Sequence, residues 1–269
     1  MHLERIRNIN DPRLQVYRDV RRSQFARQEG LFIAEGSTVV RRLFESEFET
    51  VSVLVSDKKW ARFAEHIPAG TQVYRIAYDL VCELVGFRFH AGIVACGQRR
   101  ENPDLNQLLE TVGGRQTFVI APHLTDPENV GSLIRIGAAF GVTAVIFGDA
   151  CSDPFSRRAI RVSMANGLFL PVIQTEHLAP VFETLRRHGV RSYATVLDST
   201  AQSLESVEIP HHSALVFGNE THGLEQHWID ACDQTVTIPM QRGTDSLNIS
   251  VSAGIFLFCF TRQQTDESD

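Results

Sequence analysis

The chain has 269 residues, enough for one large domain or two modest ones. Hydrophobic residues make up 43% and charged residues 22%, a globular balance that argues against disorder or a fibrous repeat. With 26 Lys and Arg against 32 Asp and Glu, the formal net charge is −6, so any basic surface has to be local.

The N-terminal 29 residues carry seven arginines against four acids, which leaves them three charges positive in a chain that is negative overall. Leu14, Val16, Tyr17, Val20 and Phe25 follow a loose helical spacing with Asp11-Pro12 as a start, and the plain reading is a surface helix with a solvated basic face. From Leu31 onward, short apolar runs alternate with amphipathic stretches. Leu31–Ala34, Val51–Val55, Val73–Ile76 and Gly92–Cys96 read as strands, with helices over Thr38–Glu45, Lys58–Glu65 and Asp79–Val85. This alternation predicts a small α/β domain over residues 1–97.

Residues 98–106, beginning Gln98-Arg-Arg-Glu-Asn-Pro-Asp, are polar and contain a proline, as a linker would. Beyond them lie apolar strand candidates at Thr117–Ala121, Val142–Phe147, Leu170–Ile173, Ser192–Leu197, Ala214–Phe217 and Thr235–Ile238. Helical patterns separate them at Val130–Phe140, Leu178–His188 and Glu225–Ala231, and Leu247–Arg262 closes the series. Apolar runs without strict alternation suit a parallel sheet covered by helices on both faces. A second domain is expected over 107–263, with a polar, acidic tail at 264–269.

Five cysteines (Cys82, Cys96, Cys151, Cys232 and Cys259) form no CxxC pair, which suits a reducing compartment better than a disulfide framework. The apolar run Gly254–Phe260 is too short to span a bilayer, and charges at Glu4, Arg5 and Arg7 break up the start where a signal peptide needs an apolar stretch. The expectation is a soluble, cytoplasmic protein without membrane attachment.

Three stretches fall just after predicted strands, where open parallel sheets build their sites. The first contains Asp126-Pro127, Asn129, Gly131 and Arg135. Asn129 can cap the helix beginning there, and Arg135 can face the same cleft; taken alone, a capping Asn beside a surface Arg is the plainer reading of this stretch. The second is Gly218-Asn-Glu-Thr-His-Gly-Leu224, a bend bounded by glycines, which implies unusual backbone angles or a close approach. Glu220 within it needs a cation or backbone amides if buried. In the third, Pro239 stops a strand and Ser246 or Asn248 opens the final helix, offering hydrogen-bonding groups to a polar ligand. A GxGxxG turn, a GxxxxGK[ST] loop, an HExxH helix and a GxSxG elbow are all missing, which argues against dinucleotide, NTPase, zinc-protease and hydrolase chemistry.

Together the three stretches resemble the signature motifs of the SpoU (TrmH) family of RNA methyltransferases, in the SPOUT superfamily. The matching residues are Asp126-Pro-x-Asn-x-Gly with Arg135, Gly218-Asn-Glu-x-x-Gly-Leu224, and Ile238-Pro-Met followed by Ser246-Leu-Asn. Gly30-Leu-Phe-Ile-Ala-Glu-Gly36 and His90-Ala-Gly-Ile-Val-Ala95 look like parts of that family's substrate-binding domain. The resemblance implies an α/β fold, with a parallel sheet closed by a trefoil knot after a small L30-like domain. It also implies a homodimer that transfers a methyl group from S-adenosylmethionine, without a metal, to a ribose 2′-hydroxyl of RNA. Ribosomal RNA is favoured over tRNA; a non-catalytic RNA-binding or assembly protein on the same fold is the competing reading.

By the same resemblance, Gly218, Ile238 and Leu247 contact the cofactor, and Asn129, Arg135, Glu220, Ser246 and Asn248 occupy the catalytic positions. Thr221-His222 departs from the family, where a small residue and an Arg are frequent, and this puts in doubt any contact by that side chain. Arg21, Arg22 and Arg27 are the leading RNA-binding candidates, with Arg5, Arg7, Arg18, Arg157, Arg158 and Arg161 as further ones.

Overall fold

The structure, a computed structural model, describes residues 1–18, 24–86, 89–219, 222–241 and 246–262. Arg21, Arg22, Glu220 and the tail 264–269 lie outside the described residues. The chain forms two compact units, one made of Met1–Glu101 with Asp153–Phe169, the other of Asn102–Ser152 with Leu170–Asp269.

In chain order the first unit contains β1 (His2–Ile6), α1 (Gln24–Gln28), β2 (Leu31–Glu35), α2 (Ser37–Glu45), β3 (Thr50–Ser56), α3 (Asp57–Phe63), β4 (Gln72–Ile76), α4 (Tyr78–Val85) and β5 (Ile93–Gln98). The strands form one sheet in the order β1-β4-β3-β5-β2. β1, β4 and β3 run parallel, and β5 lies antiparallel to β3 and β2. The helix expected from Leu14 to Phe25 is interrupted. A 3-10 helix spans Pro12–Tyr17, and the extended backbone of Arg18 (φ −75°, ψ 136°) stops it before α1 begins. Burial explains its persistence as a short element: Leu14 and Tyr17 are wholly inside the core, and the Tyr17 hydroxyl sits 2.7 Å from Ser52 Oγ.

The second region of the chain contains α5 (Leu105–Thr111), β6 (Gln116–Ala121), α6 (Pro127–Ala139), β7 (Ala144–Gly148), α7 (Arg157–Val162), β8 (Val172–Thr175), α8 (Ala179–Arg187), β9 (Arg191–Thr195), β10 (Gln202–Ser203), β11 (His212–Val216), α9 (Gln226–Ala231), β12 (Gln234–Thr237) and α10 (Ile249–Thr261). Seven strands pair in the order β10-β12-β9-β11-β6-β7-β8, and every pairing is parallel. β6 and β7 are buried along their whole length, as apolar runs under helices on both faces should be.

α7 and its surroundings do not stay with this sheet. Ile160, Ala165 and Leu168 pack into the first unit's core with Phe32, Val55 and Ile93. Arg157 forms an ion pair with the buried Glu35, and Arg99 grips Asp153 with two nitrogens at 2.9 and 2.5 Å.

Candidate active site

Strand order decides where the site forms. β12, β9 and β11 are neighbours, so the loops leaving their carboxyl ends emerge side by side. With α9 and the start of α10 they enclose a cavity of about 550 Å3. Residues 195–198 enter from β9, 217–219 and 222–224 from β11, and Ile238 and Met240 from β12. Phe217, Leu247, Ile249 and Phe256 make much of its wall apolar, while Asn219, Ser246, Ser252 and Asp198 add polar groups.

The β11 loop folds back on itself. Asn219 N–H donates to the Gly223 carbonyl at 2.9 Å, and Gly223 N–H returns a bond to the Asn219 carbonyl at 2.8 Å. This tight bridge explains both glycines. Gly223 has φ +66°, a left-handed conformation unfavourable for other residues. At Gly218 a Cβ would lie 2.3 Å from Gly223 C and 2.4 Å from Leu224 N, so the close approach is between two parts of the chain itself.

The expected site residues separate into groups. Gly218, Ile238, Ser246 and Leu247 line the cavity. Asn248 sits beside it as the N-cap of α10: its Oδ1 accepts Ser250 N–H at 2.8 Å, which accounts for a polar side chain at an apolar helix start. Asn129 is not a cap. Asp126 fills that role, accepting Glu128 N–H at 2.8 Å, because Pro127 already occupies the first helical position. Asn129 therefore stands inside the first turn of α6, half-buried.

Arg135 lies further along α6 and does not line the cavity. It borders an apolar groove made with Ile136, Ala139 and Phe140 of α6 and Val251, Ile255 and Phe258 of α10. Thus α10 presents one side (Ile249, Ser252, Phe256) to the cavity and another to the groove. On the groove side Val251 and Phe258 are 50% and 51% exposed, large values for a helix apolar nearly all round. The Thr195–Asp198 loop is the cavity wall that sequence motifs did not reveal.

The arginines proposed for RNA contact also divide. Arg5 pairs with Asp57 at 3.4 Å, Arg18 donates to the Ile9 carbonyl, and Arg157 is held by Glu35. Arg158 is half-buried, whereas Arg7, Arg27 and Arg161 are exposed. Among the described residues no group of His, Cys, Asp and Glu could hold a metal ion, and no helix is long and apolar enough to cross a membrane.

The model of the SpoU rRNA Methylase family matches residues 116–258. The chain belongs to this family. An uncharacterized tRNA/rRNA methyltransferase of Mycobacterium bovis is 34% identical over 261 residues, covering 94% of this chain and 90% of the relative. A 23S rRNA (guanosine-2'-O-)-methyltransferase of Acinetobacter baylyi is 33% identical over 236 residues, covering 84% and 94%. Among solved structures of like fold, the AdoMet-bound rRNA methyltransferase from Sinorhizobium meliloti superposes with a TM-score of 0.81 at 22% identity, covering 96% of this chain and 97% of that one. The likenesses to the Mycobacterium bovis and Sinorhizobium meliloti proteins extend over both units, whereas the SpoU model itself matches the 116–258 stretch.

Proposed function

We propose that the protein transfers the methyl group of S-adenosylmethionine to a ribose 2′-hydroxyl of structured RNA, with ribosomal RNA as the substrate. The cavity at the carboxyl edge of β12, β9 and β11 carries this reading, because the family's second and third motifs both contribute to its walls. Its size and its apolar faces interrupted by amide, hydroxyl and carboxylate groups fit an adenosine-containing amino acid. A 23S rRNA (guanosine-2'-O-)-methyltransferase among the relatives supports the choice of ribosomal RNA.

S-adenosylmethionine supplies an electrophilic methyl on a positively charged sulfur. Gly218, Ile238 and Leu247 hold the ligand against the loop walls, and the apolar faces exclude water from the reacting centre. Ser246 and Asn248 stand at the mouth of α10, with Asn129 and Glu220 as further polar groups of the site. The role of Arg135 is to orient the RNA and to stabilise negative charge developing on the hydroxyl oxygen.

Arg135 borders a groove that the described residues of its own chain leave open, and Val251 and Phe258 expose apolar surface there. A homodimer through α6 and α10 covers that surface and brings Arg135 to the seam between protomers. The trefoil knot of the second unit, the L30-like character of the first, RNA contact by Arg7, Arg21, Arg22 and Arg27, and a cytoplasmic location complete the reading. Calorimetry with S-adenosylmethionine and mass-spectrometric mapping of ribose methylation in cells with and without the protein test it. A single ribosomal 2′-O-methyl lost with the protein supports it; a lost tRNA methyl redirects the substrate, and cofactor binding with no lost methyl points to a non-catalytic RNA-binding role.

A further inference from the structure

Among the described residues lining the cavity, Asp198 is the one acidic side chain, and no Lys or Arg accompanies it. It follows β9, in the loop that closes the cavity between the β11 and β12 loops. Thr200 fixes its position: the Thr200 amide and hydroxyl both donate to Asp198 Oδ1, each at 2.8 Å. These two bonds hold the carboxyl below its usual range, so it remains ionised at neutral pH. Asp198 Oδ2 takes no hydrogen bond and no cation pairs with Asp198 among the described residues. A positioned carboxylate with one oxygen available is a counter-charge for a cationic ligand.

We propose that Asp198 gives the cavity a preference for the cationic sulfonium donor over the neutral thioether product. The inference rests on the proposed function. In methyl transfer the S–CH3 bond breaks and its electron pair stays on sulfur, while an O–CH3 bond forms and the hydroxyl proton passes to solvent. The bound ligand thereby loses its net positive charge, and the attraction to Asp198 falls at the step where the product must leave. Because Asp198 is exposed, water and salt screen the effect, and an affinity factor of about 3–10 at low ionic strength is expected.

The test is calorimetric titration of the full-length wild type, Asp198→Asn and Asp198→Glu with three probes. These are S-adenosylmethionine, the cationic analogue sinefungin and neutral S-adenosylhomocysteine. Asparagine keeps the oxygen that Thr200 binds, so the turn survives the loss of charge. The expected result is a loss of about 3–10-fold for the two cations in Asp198→Asn, with less than about 2-fold for the thioether. Glutamate restores part of the preference, and rising salt narrows the wild-type preference. Equal weakening of all three ligands, or no change for any, overturns this inference alone. A wild type that binds none of them overturns the proposed function and this inference with it.

Discussion

Gly218→Ala is the sharpest probe of how the cavity is built. The new methyl would meet Gly223 C at 2.3 Å, Leu224 N at 2.4 Å and the Gly223 carbonyl oxygen at 2.6 Å. All three atoms are backbone, so no rotamer change relieves the contact. If the loop stays closed, overpacking of this kind costs about 1–3 kcal/mol. If it opens, the two bonds joining Asn219 and Gly223 are lost at about 0.5–1.5 kcal/mol each, which comes to a similar figure. Either outcome displaces a wall shared with Asn219, His222 and Leu224, so affinity for S-adenosylmethionine should fall by about tenfold or more.

Urea unfolding in a Trp60→Phe background lets Trp228, stacked on Phe182 at 5.9 Å, report the second unit, and calorimetry reports the ligand. Gly223→Ala is the control: nothing lies within 4 Å of its Cβ, and its left-handed φ costs about 1–2 kcal/mol without a clash. A Gly218→Ala protein with unchanged unfolding midpoint and unchanged cofactor affinity would refute this account of the loop.

If the proposed α6–α10 pairing forms the dimer, Val251→Asp, at a side chain half exposed in the single chain, should yield a folded monomer in sedimentation analysis whose unfolding midpoint no longer depends on protein concentration; a persisting dimer places the interface elsewhere. Asn248→Ala removes the α10 cap and should cost about 1 kcal/mol in thermal unfolding, with no loss indicating that Ser250 N–H finds another acceptor. At Asp233 burial pushes the carboxyl up, but bonds from the Ser192 amide and hydroxyl, with Arg186 nearby, win and leave it below its ordinary value. Its stabilising contribution is therefore complete above the unfolded carboxyl pKa of about 4 and lost as pH falls through the folded value. Asp233→Asn should flatten the acid side of the stability profile below about pH 4; an unchanged slope there contradicts the assignment.

Period and composition made the strands of both units readable, because buried parallel strands concentrate Val, Ile and Phe in short runs. The two-residue β10 has no such run, and β1 lacks one for the opposite reason. It is an edge strand in which Ile6 alone is buried, so His2, Glu4 and Arg5 mask it. The motifs of the β11 and β12 loops were visible as glycines and polar residues at strand ends. Thr195–Asp198 carries no unusual residue type, and it matters only because β9 is inserted between β12 and β11, a long-range fact of strand order. For Arg135 the difficulty was angular. Six helical residues separate it from Asn129, about a turn and two-thirds, so the two side chains diverge by about 120°. A shared cleft cannot follow from that spacing within one chain.

The excursion of Asp153–Phe169 into the first unit bears on how the protein can be dissected and made. A fragment ending at Glu101 would lack Ile160, Ala165 and Leu168, leaving Phe32, Val55 and Ile93 facing a hole, and Glu35 would be stranded without Arg157. During synthesis the amino-terminal fold must wait for about seventy more residues to leave the ribosome before its interior closes, a delay of several seconds at typical elongation rates. Domain-swap chimaeras that exchange only the leading segment are expected to aggregate, whereas those that carry residues 153–169 with it retain a complete interior.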